Sequence, residues 1–138
     1  MRKYFFIGAG AFIGAAARYE LESIAAVSHG AFPITTLLIN ISGSFLLALL
    51  LAIAFELWEF DADIRLGLTS GLLGAFTTFS AFCRESVDLM RDGAYAIAFS
   101  YMLLSILCGF AAAYLGAALI RMIAARMNGS GAEERKSE

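Results

Sequence analysis

Charge falls in islands along the chain, and the gaps between them set the elements. Tyr4 to Ala17 holds no charged residue, and Arg18, Glu20 and Glu22 follow it. Ser23 to Phe55 is free of Asp, Glu, Lys and Arg and has Pro33 inside it. Leu66 to Cys83 is uncharged between Arg65 and Arg84, and Gly93 to Ile120 between Asp92 and Arg121. A hydrocarbon core of about 30 Å takes about 20 mainly apolar residues in a helix. The pattern therefore predicts four transmembrane helices, at 4–26, 34–56, 64–90 and 94–124. The connections are short: His29 to Pro33, the acidic Glu56 to Asp63, and Arg91 to Gly93. Short connections make neighbours antiparallel, which predicts an up-down four-helix bundle with both termini on one side.

Composition narrows the class. Of 138 residues, 60% are hydrophobic and 16% charged, where a soluble domain has about a quarter charged. A fold of this size cannot hide so much apolar surface from water. A soluble monomer, a disordered chain and a disulfide scaffold are excluded. Ten Lys+Arg against twelve Asp+Glu, a net charge of −2, exclude nucleic acid as a partner, which needs a basic surface. Cys83 and Cys108 sit inside apolar runs and read as buried packing residues. Met1-Arg2-Lys3 before an apolar run looks like a signal-peptide start. That run outlasts a signal's hydrophobic region, holds Arg18 and precedes three more spans, so it is read as part of the mature chain. Residues 1–127 read as one transmembrane domain, and the polar tail 128–138 is expected to be disordered. Arg2, Lys3, Arg65, Arg121 and Arg126 fall on the terminus side. Arg84 and Arg91 fall on the other, with Arg18 near that end of the first span.

Polar residues inside the spans carry the chemistry. Gly10 and Gly14 form a GxxxG, which lets helices approach closely. Arg18, towards the end of its span, either snorkels to the interface or sets a positive potential at a pore mouth. Thr36, Asn40 and Gly43 share one helical face. An Asn in hydrocarbon must find partners: either an interhelical hydrogen bond or an aqueous path to which its amide donates. The third span, Gly71-Leu72-Leu73-Gly74-Ala75-Phe76-Thr77-Thr78-Phe79-Ser80-Ala81-Phe82, makes a poor continuous helix, because Gly and β-branched Thr lower helix propensity. It is either broken near mid-membrane, freeing backbone groups that must be buried or line a cavity, or bent but continuous. Phe79 and Phe82 lie on one face, and the edge of a phenyl ring is electropositive. Tyr101 and Ser105 form an i, i+4 polar pair on the fourth span.

These stretches together resemble the Fluc (CrcB) fluoride channel family. The matching pieces are Gly8 to Tyr19, Pro33 to Phe45 with its Asn-Ile-Ser-Gly-Ser-Phe core, and Gly71 to Phe82 with Thr-Thr-Phe-Ser. The resemblance covers residues 4 to 120. It implies an all-α membrane protein of four transmembrane helices, the third broken, assembled as an antiparallel, dual-topology homodimer in the cell inner (plasma) membrane. It implies two pores for passive fluoride export and a structural sodium ion on the dimer axis. Carried over by position, backbone carbonyls of Gly74 and Thr77 from both subunits would hold the sodium. Phe79 and Phe82 would match the pore phenylalanines and Asn40 the pore asparagine. Thr36, Tyr101 and Ser105 would fall on a polar track with Glu85 near its outer end, and Arg18 would match the arginine of the first span. The excess of basic residues on the terminus side sits against dual insertion.

Other classes fit less well. A small proton-coupled multidrug-type exporter needs an intramembrane carboxylate, and Glu20, Glu22 and Glu85 all lie near span ends. A structural subunit of a membrane complex would use the polar stripes only as helix glue. An enzyme is excluded by a single His, His29, in a connection, and by the lack of a metal-ligand cluster or activated nucleophile pattern.

Overall fold

The computed structural model describes residues 1–24, 32–57 and 61–137, with side chains described as far as Met127. Most of the His29–Pro33 connection, part of the Glu56–Asp63 connection and the side chains of the polar tail lie outside the described residues. All regular structure among the described residues is helical: α1 (Arg2–Ile24), α2 (Ile34–Glu56), α3 (Ala62–Leu66), a π-helical stretch (Gly67–Leu73), α4 (Gly74–Phe76), α5 (Phe79–Arg91) and α6 (Tyr95–Ser137). Elements α3 to α5 form one interrupted rod, called here the third helix.

Ile34–Glu56, Ala62–Arg91 and Tyr95–Met127 are each long and apolar enough to cross a membrane. The chain is a multi-pass membrane protein. Its outer surface agrees, since Phe5, Phe12, Phe55, Phe99 and Phe110 are all exposed. Helix α1 has 23 residues, roughly 35 Å of rise, but Arg18, Glu20 and Glu22 make its last turns less apolar.

Ion pairs mark one end of the bundle. Arg2 reaches Asp61 at 3.5 Å and Asp63 at 3.9 Å, and Arg121 reaches Glu56 at 3.6 Å. The start of α1, the end of α2, the start of α3 and the later part of α6 therefore lie together, and successive rods alternate in direction. The closest packing is not between chain neighbours, as short connections suggest. Helix α1 packs on the third helix and α2 packs on α6. Glycines decide this. A Cβ at Gly10 would collide with the Gly67 carbonyl oxygen, and one at Gly14 with that of Leu72. A Cβ at Gly116 would come within 2.5 Å of the Phe45 carbonyl oxygen. In lipid, helices associate through such backbone approach rather than through hydrophobic burial. The GxxxG of α1 is thus a packing face.

One expectation changes, and one open alternative closes. Cys83 is exposed and Cys108 half-buried, so neither is a core residue; the apolar run around Cys83 faces outward with Phe79, one helical turn away. In the third span Gly71 lies in the π-helical stretch and Gly74 in α4. The interruption falls at Thr77 (φ −75°, ψ 155°) and Thr78 (φ −143°, ψ 118°), both extended. A bent but continuous helix is ruled out.

Candidate functional site

The break is made by a side chain from another helix. The backbone N–H of Thr78 donates to Asn40 Oδ1 at 2.8 Å, and Asn40 Nδ2 donates to the Thr78 carbonyl oxygen at 3.0 Å. The primary amide thus pairs with Thr78 as a neighbouring strand would. Thr78 in turn caps α5: its Oγ1 accepts the Ala81 N–H at 3.1 Å and lies 3.2 Å from Ser80 Oγ. A Ser or Thr at this position is a favourable N-cap. Gly43, one turn from Asn40, lets α2 sit against Thr77, for a Cβ there would collide with Thr77 Cγ2.

These bonds release two carbonyls. In an unbroken α-helix each carbonyl accepts from the N–H four residues on. The partner of Gly74 would be Thr78, and that of Thr77 would be Ala81. Both N–H groups are diverted, to Asn40 and to Thr78 Oγ1. Gly74 is exposed. Thr77 is tied back to its own rod, its N–H and Oγ1 both donating to the Leu73 carbonyl oxygen, at 3.0 and 2.9 Å. Among the described residues the Gly74 and Thr77 carbonyl oxygens are therefore deprived of their helical donors.

A second cluster lies beyond the break. Thr36 Oγ1 donates to Glu85 Oε1 at 2.7 Å, and the Tyr101 hydroxyl donates to Glu85 Oε2 at 2.8 Å. Thr36 and Tyr101 are buried. A carboxylate at this depth is tolerated because each of its oxygens has a short O–H donor. Aromatic rings link the two clusters. Phe79 stacks on Phe82 at 5.8 Å between centroids, Phe82 meets Tyr101 at 5.3 Å, and Phe32 meets Tyr101 edge-on at 5.6 Å. Phe79 is 77% exposed, a large ring at the break left uncovered by this chain alone.

Cavities flank Thr78 on two sides. One, of about 220 Å³, is lined by Asn40, Gly43, Ser44, Leu47, Thr77, Thr78 and Phe79. The other, of about 250 Å³, is lined by Arg18, Glu22, Thr78, Ser80, Ala81 and Arg84. Arg18 thus faces a polar cavity at the start of α5, where helix N–H groups already favour anions. A larger cavity of about 620 Å³, walled mostly by apolar residues of α1, α2 and α6, shares no residue with either. The Ser105 hydroxyl is buried and has no hydrogen-bond partner among the described residues.

Of the residues singled out from sequence, Asn40, Thr77, Gly74 and Phe79 gather at the break, Phe82 bridges outward, and Thr36, Glu85 and Tyr101 form one network. Arg18 stands apart on the second cavity. Three participants went unnoticed. Thr78 does most of the backbone work, and a Thr three residues before Ala81 at the head of an amphipathic helix is an N-cap signal that could have found it. Arg84 joins Arg18, and Phe32 packs on Tyr101; neither has a local signal.

The chain has recognisable relatives among known proteins. Residues 5–117 match the family model described as "CrcB-like protein, Camphor Resistance (CrcB)". The chain is 43% identical over 116 residues to the fluoride-specific ion channel FluC 2 of Carboxydothermus hydrogenoformans, covering 84% of this chain and 85% of that one. It is 40% identical over 119 residues to the fluoride-specific ion channel FluC of Ruminiclostridium cellulolyticum, covering 86% and 92%. With FluC 3 of Streptomyces avermitilis it shares 40% over 120 residues, 87% of this chain but only 59% of that longer relative.

Proposed function

The chain belongs to the CrcB-like family, and on that premise we propose that it is a fluoride-selective channel, exporting fluoride passively through two pores of an antiparallel homodimer. The activity is transport rather than catalysis. The observation that carries the reading is the break at Thr77–Thr78, held open by the Asn40 amide beside Phe79.

Fluoride is small and strongly hydrated, so a pore must replace its water with donors. The chain supplies several weak donors in sequence. Asn40 keeps one amide hydrogen beyond the bond to Thr78. The stacked Phe79 and Phe82 offer positive ring edges that attract an anion without trapping it. Thr36 and Tyr101 line the track with their hydroxyl hydrogens engaged by Glu85, Ser105 supplies an unengaged hydroxyl, and Arg18 supplies positive potential at the end of the path. Glu85 orders the Thr36 and Tyr101 hydroxyls and marks the outer end of the track. Weak binding at several positions permits exit as well as entry.

A dimer follows from what one chain leaves open. The exposed Phe79 and the exposed Gly74 at the break call for a second copy. In this reading all four rods, α1 included, span the inner membrane. Antiparallel pairing would bring two breaks together at mid-membrane. The carbonyls of Gly74 and Thr77 fit a structural sodium ion there, since they are hard oxygen acceptors deprived of their helical donors. Sodium bound there would supply the positive charge that holds the two breaks together.

The test is fluoride efflux from liposomes containing the purified protein, read with a fluoride electrode, with chloride for comparison. Rapid fluoride release with little chloride release is expected. Folded dimers that release no fluoride would sink the channel reading and favour a structural subunit. Flux driven by a pH gradient would favour a proton-coupled exporter working through Glu85.

A further inference from the structure

The polar stripe of α2 does not stop at Asn40. Thr36, Asn40 and Ser44 are spaced by four on one face of α2, and Tyr101, Ser105 and Gly109 repeat that spacing on α6. The two helices run parallel, and their levels correspond. Thr36 and Tyr101 meet on Glu85, and a Cβ at Gly109 would stand 3.9 Å from Ser44 Oγ. Ser105, with its buried and unpartnered hydroxyl, is then level with Asn40.

Several hydroxyl residues of these rods satisfy themselves within their own helix, and Ser44 does not. In a membrane helix a Ser or Thr hydroxyl commonly satisfies itself on a carbonyl one turn back. Ser42, Thr69, Thr77 and Ser86 all do so here, to Ile39, Arg65, Leu73 and Phe82. Ser44 makes no such bond and, among the described residues, no other side-chain hydrogen bond. It lines the cavity of about 220 Å³ that also holds Asn40, Thr77, Thr78 and Phe79. On the side of α6, Gly109 approaches Ser44 with no side chain of its own. A donor without an acceptor thus faces the cavity one turn beyond Asn40.

Resting on the channel reading, we infer that Ser44 is a further anion-coordinating residue of the pore. Its hydroxyl donates to fluoride after Asn40, in the cavity that it shares with Asn40, Thr77, Thr78 and Phe79. The pore is then one step longer than the residues gathered around Phe79 and Phe82. At this step the donor comes from α2 alone.

The experiment compares fluoride efflux from liposomes for the wild type, Ser44→Ala, and the double variant Ser44→Ala/Gly109→Ser. A hydrogen bond to a charged partner is worth tenfold or more in an equilibrium. Ser44→Ala should therefore release fluoride at least about tenfold more slowly while eluting as the same dimer. The double variant returns a hydroxyl to the same level from α6, across the 3.9 Å approach, and should recover most of the lost rate. A purely structural Ser44 would not be rescued by a hydroxyl on another helix. Ser44→Ala conducting like the wild type would overturn the assignment and leave the channel reading intact. Wild-type protein without fluoride flux would overturn the channel reading itself. Should Ser44→Ala not fold, Ser44→Cys in a Cys83→Ala/Cys108→Ala background replaces it. Flux abolished by a small charged thiol reagent supports the assignment, and undiminished flux after complete modification overturns it.

Discussion

Replacing Asn40 by alanine removes both hydrogen bonds that join α2 to the break. In the wild type the Thr78 N–H is 2.8 Å from Oδ1 and the Thr78 carbonyl 3.0 Å from Nδ2. Alanine leaves that N–H without its acceptor in a region without bulk water, because the seating of Gly43 on Thr77 still opposes closure onto the Gly74 carbonyl. An orphaned buried backbone group costs about 1–3 kcal/mol. The Thr78 amide should lose protection by the corresponding factor, about fivefold to a hundredfold, since 1.4 kcal/mol is a tenfold change. Hydrogen–deuterium exchange of a peptide spanning residues 76–82 in detergent reads this directly, and amides early in α2 serve as the internal control. Fluoride efflux should fall in the same preparation, because the amide donor goes with the cap. Unchanged exchange at Thr78 together with unchanged flux would refute the reasoning, for it would mean that the break holds itself open without α2.

Three other substitutions probe separate features. Phe82→Ile roughly holds volume but removes the ring that meets Phe79 and Tyr101; flux should drop while the protein elutes as the wild type does, and undiminished efflux would take Phe82 out of the path. Gly14→Ala places a Cβ against the Leu72 carbonyl, so α1 must separate from the third helix, and the yield of monodisperse protein should collapse; normal yield and melting would show that this approach is not needed. Gly93 has φ 74° and ends α5 through Ala94 N–H to the Leu89 carbonyl and Gly93 N–H to that of Met90; Gly93→Ala should cost about 1–2 kcal/mol, seen as a lower melting temperature with normal flux.

Periodicity made much of the site legible. Thr36, Asn40 and Gly43 share a face because a helix repeats every 3.6 residues, and each meets the third helix or α5 as that face demands. The weakness of the third span was legible too, from Gly and Thr propensity. Its position was not. Propensity marks Gly71, Gly74 and the two Thr alike, and the chain opens where a competing amide takes the Thr78 N–H. That competitor lies 38 residues away, beyond any local pattern. Glu85 was placed near a span end, and nothing nearby reveals that it joins Thr36 and Tyr101. The pairing of α1 with the third helix and of α2 with α6 was hidden for a related reason. Connection length dictates direction, whereas small residues dictate which rods touch.

The placement of Asn40 also bears on how the protein enters the membrane. A span with two unpaired peptide groups would be costly to leave in lipid, at several kcal/mol for each group. The third span need never be in that state alone. Residues 62–91 can leave the insertion machinery as one closed apolar rod, with Thr78 bonded to Gly74. The helix that unlatches it, α2, has by then already emerged, because Asn40 precedes Thr78 in the order of synthesis. The opening is thus deferred to assembly, when a ready-made acceptor waits in the bilayer. A chain engineered to deliver α2 after the third span should insert normally yet mature slowly.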